Sequence, residues 1–340
     1  MASRMLEEAR QAPAAVARQL AAGGDAYAAF GERLRSVPPT SILTLARGSS
    51  DHAAHFAAYL LMARLGRLVT SLPMSVVTLY QAKIATQGLL ALAFSQSGRS
   101  TDLVETTRAF TAGDATTVAF VNDAASPLAH ASRLVFALEA GEERSVAATK
   151  SFIAQLVAGA RLAAAWQEDA ALASALEALP PVLEAAARAD WTEGVDALAN
   201  ADRLFVLGRG TGLAIAMEAA LKLKETCGIQ AEALSGAEMR HGPIAIVTEG
   251  YPVLVFAPRG PAQAGLLETA RDLRARGARV LLAAPAGTEG AELPLALAPD
   301  PDLDPIAAIQ SFYPMAEALS RKRGLDPDRP PHLAKVTLTH

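Results

Sequence analysis

One cysteine in 340 residues, Cys227, leaves nothing for an internal disulfide and excludes a thiolate metal cluster. No set of His, Cys and carboxylate residues stands at metal-ligand spacing either, so neither a metal nor any other cofactor is expected. Basic residues are not in excess: 31 Lys and Arg face 35 Asp and Glu, and they are scattered. That argues against nucleic acid as a partner. No apolar run reaches the roughly 18–20 residues of a membrane span. The opening residues are charged and helical in pattern, unlike a signal peptide. A soluble, cytoplasmic protein is the expectation. What is present is apolar bulk, 51% of residues, in a chain long enough for about two ordinary domains.

The chain is organised around Ser95-Gln96-Ser97-Gly98-Arg99-Ser100-Thr101. An apolar run, Leu89 to Phe94, precedes it, and a helical pattern, Asp102 to Phe110, follows. A strand that ends in hydroxyls and glycine before a helix can hold an anion. The first N–H groups of the helix are free, and the macrodipole favours negative charge there. The spacing is that of neither a Walker A loop nor a GxGxxG turn, and it suits a single phosphate. An ordinary serine cap has the same local chemistry.

Short apolar runs at Ser41–Ala46, Leu68–Ser71, Leu89–Phe94, Thr116–Val121 and Leu134–Ala137 predict strands, with helices between them. That alternation predicts an α/β fold with a doubly wound parallel sheet. The second half repeats the first at an offset of 162 residues: Leu45 falls on Leu207, Phe94 on Phe256 and Val118 on Val280. Two tandem, flavodoxin-like domains follow. The expected divisions are two N-terminal helices (1–35), a first domain (36–165), a helical linker (166–200) broken at Pro180-Pro181, a second domain (201–324) and a tail (325–340). Ala257, Pro258, Arg259 and Ala262 replace the hydroxyls in the second half, so one phosphate site per chain is expected. Gly48-Ser49-Ser50, at another strand end, could share its ligand.

The second half carries acid–base candidates instead. Lys222 and Glu225 are i,i+3 neighbours on a helix read as Ala214–Thr226. A surface ion pair has that spacing too. The apolar neighbours Ala219, Ala220, Leu221 and Leu223 favour an enclosed helix, where a carboxylate can act as a base. His241 lies in a polar loop ahead of the apolar run Ile244–Val247, read as a strand, and could titrate near neutrality, although loop histidines are commonly solvated. His52, His55, His130 and His340 have the same ordinary explanation. Lys335, in a proline-rich tail, matters only if the tail folds over a site.

In combination and order these segments resemble the sugar isomerase (SIS) domain family. More narrowly, they resemble the isomerase half of glutamine:fructose-6-phosphate aminotransferases. The motifs are Ala46-Arg-Gly-Ser-Ser, Ser95-Gln-Ser-Gly-Arg-Ser, Val146-Ala-Ala-Thr-Lys-Ser-Phe, Leu207-Gly-Arg-Gly, Ala220-Leu-Lys-Leu-Lys-Glu, Glu238-Met-Arg-His-Gly-Pro and His332-Leu-Ala-Lys-Val-Thr. The resemblance implies that Ser50, Ser95, Gln96, Ser97 and Ser100 bind a sugar phosphate, beside Gly48 and Ser49. Val146 and Ala148 would line the sugar site. It implies that Glu225 moves a proton between C1 and C2, with Lys222 beside it. His241 would open the sugar ring from the neighbouring subunit of a homodimer. Lys335 would engage the open-chain sugar. Arg47 stands where the aminotransferases tend to have a small residue, and Ala148 replaces a hydroxyl residue.

The aminotransferases also have a glutaminase domain whose nucleophile is a cysteine directly after the initiator Met; here the sequence reads Met1-Ala2-Ser3. The expectation is therefore an isomerising deaminase acting on an amino-sugar phosphate, glucosamine 6-phosphate. A fructosamine-6-phosphate deglycase, an ammonia-dependent aminotransferase, a plain aldose/ketose isomerase and a non-catalytic phosphosugar sensor are the alternatives.

Overall fold

The computed structural model describes residues 2–335; Met1 and residues 336–340, with His340 and the end of the expected tail, lie outside it. The chain forms two compact units. One comprises Ala14–Glu143, Lys150–Glu177, Ala334 and Lys335. The other comprises residues 2–13, Arg144–Thr149 and Ala178–Leu333.

The first of these contains β1 (Ser41–Leu45), β2 (Val69–Ser71), β3 (Leu89–Ser95), β4 (Thr116–Val121) and β5 (Leu134–Ala137). All pairings are parallel, in the order β2-β1-β3-β4-β5. Strands covered on both faces read as unbroken apolar runs. Leu90, Leu92 and Phe94 are accordingly fully buried, and Ala91 and Ala93 nearly so. The helix Lys150–Gln167 is buried along most of its length. Apart from Lys150, Ser151, Gln155, Arg161 and Gln167 its sequence is apolar on nearly every side, and such a helix belongs inside a protein.

The other unit contains β6 (Arg203–Gly208), β7 (Gln230–Ser235), β8 (Pro252–Phe256), β9 (Arg279–Pro285) and β10 (Leu293–Leu295), all parallel in the order β10-β9-β8-β6-β7. Read from β7, this is the order of the first sheet. The repeat extends to backbone angles: Gly48 (φ 55°, ψ −135°) and Gly210 (φ 63°, ψ −137°) end β1 and β6 in the same turn. Both conformations are accessible to glycine.

Two expectations need correction. Residues 3–35 form three helices, Arg4–Arg10, Ala12–Ala21 and Gly24–Ser36, not two. Pro13 sits in the first turn of the second, where its missing N–H breaks no helical bond. The run Ile244–Val247 is not a strand; Pro243–Ile246 forms a 3₁₀ turn after Gly242 at φ 136°. Ile246 is 55% exposed there, so the run has no sheet neighbour to bury it. Among the described residues no helix is long and apolar enough to cross a membrane.

Candidate functional site

Strands β1 and β3 are adjacent, so their carboxyl ends emerge side by side. This is the switch point of the sheet, where open α/β folds take ligands. From β1 the chain passes through Arg47 and Gly48 into the helix Ser49–Leu65; from β3 it passes through Gln96–Ser100 into the helix Thr101–Ala112. Two helix N-termini thus begin at the same edge.

The serine loop is held by its own hydroxyls. Ser95 Oγ accepts from Gly98 N at 2.9 Å, and Ser97 Oγ from Arg99 N at 3.3 Å. Gly98 O accepts from Leu128 N at 3.1 Å. Ser100 takes the N-cap position without making a capping bond through its side chain, which leaves that hydroxyl for a ligand. Ser50 Oγ accepts from Nε2 of Gln155 at 3.0 Å, a buried residue no sequence signal points to.

Gly98 has φ +64°, and a Cβ there would lie 2.2 Å from Ser126 Oγ and 2.6 Å from Ser126 Cβ. Ser126 caps its own helix through Ala129 N and cannot readily withdraw. Gly98→Ala should therefore cost about 2 kcal/mol or more, since left-handed backbone alone costs roughly 1–2 kcal/mol for a residue with a Cβ. Denaturant unfolding beside phosphate titration checks this, with both stability and phosphate affinity expected to fall.

Arg47 pairs with Asp102 at the same edge. Its Nε and Nη2 both lie 2.8 Å from Asp102 Oδ2, while Oδ1 accepts from Leu103 N at 2.8 Å. In the first turn of Ser49–Leu65, burial raises the Asp51 carboxyl against the pull of His52, His55 and Arg47. Burial lowers the His55 imidazole, with Asp51 opposing.

The corresponding place in the β6–β10 unit is filled from within. Arg259 stands where the repeat puts Ser97 and makes 2.8 Å bonds from Nε and Nη2 to the two oxygens of Asp304. Nη2 also donates to Ala298 O. Asp304 is fully buried. An internal ion pair occupies the position that hydroxyls hold in the other sheet.

On the helix Thr211–Cys227, Lys222 Nζ lies 2.5 Å from Glu225 Oε2 and 3.5 Å from Glu218 Oε1. The side chains of Lys222 and Glu218 are 1% and 0% exposed, and that of Glu225 is 19% exposed. This is an enclosed cluster, not a surface pair. Burial alone would push the Lys222 amine down; Glu218 and Glu225 together outweigh it and hold the amine above the usual lysine value. Glu218 escaped the sequence reading, although its place four residues before Lys222 on the same helix was the available signal. Glu225 also lines a cavity of about 570 Å³ with Leu221, Lys224, Arg329 and Leu333.

The other candidates are spread over the two units. His241 ends the 3₁₀ turn Glu238–His241 and is exposed. Val146 and Ala148 are half-buried in a segment held by Glu8, whose carboxylate accepts from Arg144 N at 2.5 Å and Ser145 N at 3.0 Å. Lys335 Nζ is 3.3 Å from Glu143 Oε2. Glu143 is itself buried and accepts from Ser151 N and Oγ at the start of the helix Lys150–Gln167. Among the described residues no three His, Cys, Asp or Glu side chains gather as a metal site.

The SIS domain family model matches residues 37–165 and 197–285. The isomerizing glutamine–fructose-6-phosphate aminotransferase of Methanothermobacter thermautotrophicus is 33% identical over 341 residues, covering 97% of this chain and 56% of its own. The chain thus spans about half the length of the curated relatives it matches. A crystal structure from Silicibacter pomeroyi DSS-3, whose designation as a phosphosugar isomerase is itself provisional, superposes with a TM-score of 0.90 at 45% identity. The match covers 96% of this chain and all of that one. Glucosamine-6-phosphate deaminase of Thermotoga maritima shares the fold at 23% identity, with a TM-score of 0.76 over 99% of this chain and all of its own.

Proposed function

The chain belongs to the SIS domain family, related to its phosphosugar isomerases, and from that premise we propose that it is an isomerising deaminase of an amino-sugar phosphate. The reaction is glucosamine 6-phosphate plus water to fructose 6-phosphate plus ammonia. The observation that carries this reading is the enclosed Glu218–Lys222–Glu225 cluster. A non-catalytic sensor has no use for a lysine enclosed between two carboxylates on one helix.

The phosphate occupies the serine cup, anchored by the hydroxyls of Ser50, Ser95, Ser97 and Ser100, by Gln96 and by the helix N-termini. His241, supplied from a second copy in a dimer, opens the ring and exposes the C1 aldehyde. Glu225 takes the C2 proton and delivers it to C1, while O1 gains a proton as nitrogen loses one. The aldehyde becomes a hydroxymethyl group and C2 becomes a ketimine. Water adds at C2 and ammonia leaves. Lys335 holds the open-chain sugar, with Val146 and Ala148 lining it. Holding a substrate by its phosphate contributes several kcal/mol in well-oriented systems.

Cys227 is buried at the end of the helix Thr211–Cys227. Burial pushes its thiol up to about 11, and it donates to Ala316 O at 3.3 Å. The one cysteine of this sequence is thus no nucleophile for glutamine.

The test is ammonia release from glucosamine 6-phosphate by the purified protein, with fructose 6-phosphate measured alongside. Equal amounts of both products are expected. Binding of the phosphosugar without either product would overturn the reading in favour of a sensor. Release only from fructosamine 6-phosphates would make it a deglycase.

A further inference from the structure

Asp102 poses a problem for an anion cup. It stands in the first turn of the helix Thr101–Ala112, with a side chain only 5% exposed. One of its oxygens accepts the Leu103 N–H, among the free donors that a helix N-terminus offers an anion. A buried carboxylate at that place repels a phosphate and competes with it for a donor. The repulsion doubles when the ligand carries two charges instead of one.

Arg47 answers the problem. It leaves the end of β1 and closes on Asp102 Oδ2 with both Nε and Nη2, while half of its own side chain stays exposed. Arg99, on the cup loop, is drawn outward to Asp123 at 3.2 Å, so its charge is already spent at the exterior. We infer that Arg47 is a charge-setting positioning residue: by clamping Asp102 it cancels the buried negative charge at the cup and makes the cup selective for a dianionic phosphate over a monoanionic group of the same shape. The inference rests on the cup being the phosphate site.

The experiment measures the affinity of glucose 6-phosphate and glucose 6-sulfate, which differ mainly in charge, for the wild type, Arg47→Met, Asp102→Asn and the double variant. Arg47→Met should weaken the phosphate about 10- to 100-fold, and the sulfate several-fold less. Asp102→Asn should leave the phosphate at least as tightly bound as in the wild type. The double variant should recover most of what Arg47→Met loses. Thermal unfolding of each variant in parallel identifies one that fails to fold, and Asp102→Asn with the double variant still tests the idea in that case. Equal weakening of phosphate and sulfate in Arg47→Met would reduce the pair to a structural clamp and overturn the inference. So would a double variant as weak as Arg47→Met. Charge-dependent binding without ammonia release from glucosamine 6-phosphate would sink the deaminase reading and leave this one standing.

Discussion

Glutamine in place of Glu225 should lower ammonia release from glucosamine 6-phosphate by about 10²- to 10⁴-fold, the usual worth of a positioned general base. The substitution keeps the shape and an oxygen for Lys222, 2.5 Å away, but removes the ability to hold a proton. Lys222 retains Glu218 as a counter-charge, so the helix should stay folded. Phosphosugar affinity should change by no more than a few-fold, because the serine cup is untouched. The decisive companion measurement is exchange of the substrate C2 proton with deuterated solvent. Exchange should vanish with turnover if Glu225 moves that proton. Turnover within tenfold of the wild type would place the base elsewhere.

Much of the fold is legible in the sequence. The strands were visible because parallel strands are buried on both faces and cannot hide their apolar runs: Leu89–Phe94 and Thr116–Val121 read as they fold. The tandem repeat was visible because both sheets end their first strand in the same glycine turn, Gly48 and Gly210. Lys222 and Glu225 could be named because helical neighbours are close in sequence. What lay hidden depends on partners far apart in the chain. Arg47 meets Asp102, Arg259 meets Asp304 and Gln155 meets Ser50 across separations that no local pattern encodes. The count of N-terminal helices failed for a local reason: a break at Gln11, just ahead of Pro13, divides residues 4–21 into two helices. A proline breaks a helix interior but starts one equally well, and position alone decides which.

The largest expected effect on stability is that of Lys222→Met. Removing one member of a buried ionic set leaves uncompensated charge, which typically costs about 3–5 kcal/mol. A fall in melting temperature of about 10 °C follows for a unit of this size. The two carboxylates should not suffer alike. Glu225 is 19% exposed and can turn toward water, whereas Glu218 is 0% exposed and cannot. Adding Glu218→Gln to Lys222→Met should therefore recover more stability than adding Glu225→Gln. The pH dependence has a definite sign. Glu218 and Glu225 hold the Lys222 amine above its unfolded value despite burial. Its contribution is then complete below the ordinary lysine pKa and is lost only as pH rises through the raised one. The gap between wild type and Lys222→Met should stay flat from about pH 6 to 9. Denaturant unfolding across that range measures both effects. Destabilisation below about 1 kcal/mol, the level of an exposed pair, would mean that the ammonium is solvated in solution. Equal recovery by the two second substitutions would mean that Glu218 is solvated too. Either result would remove the enclosed cluster on which the assignment of Glu225 as base depends.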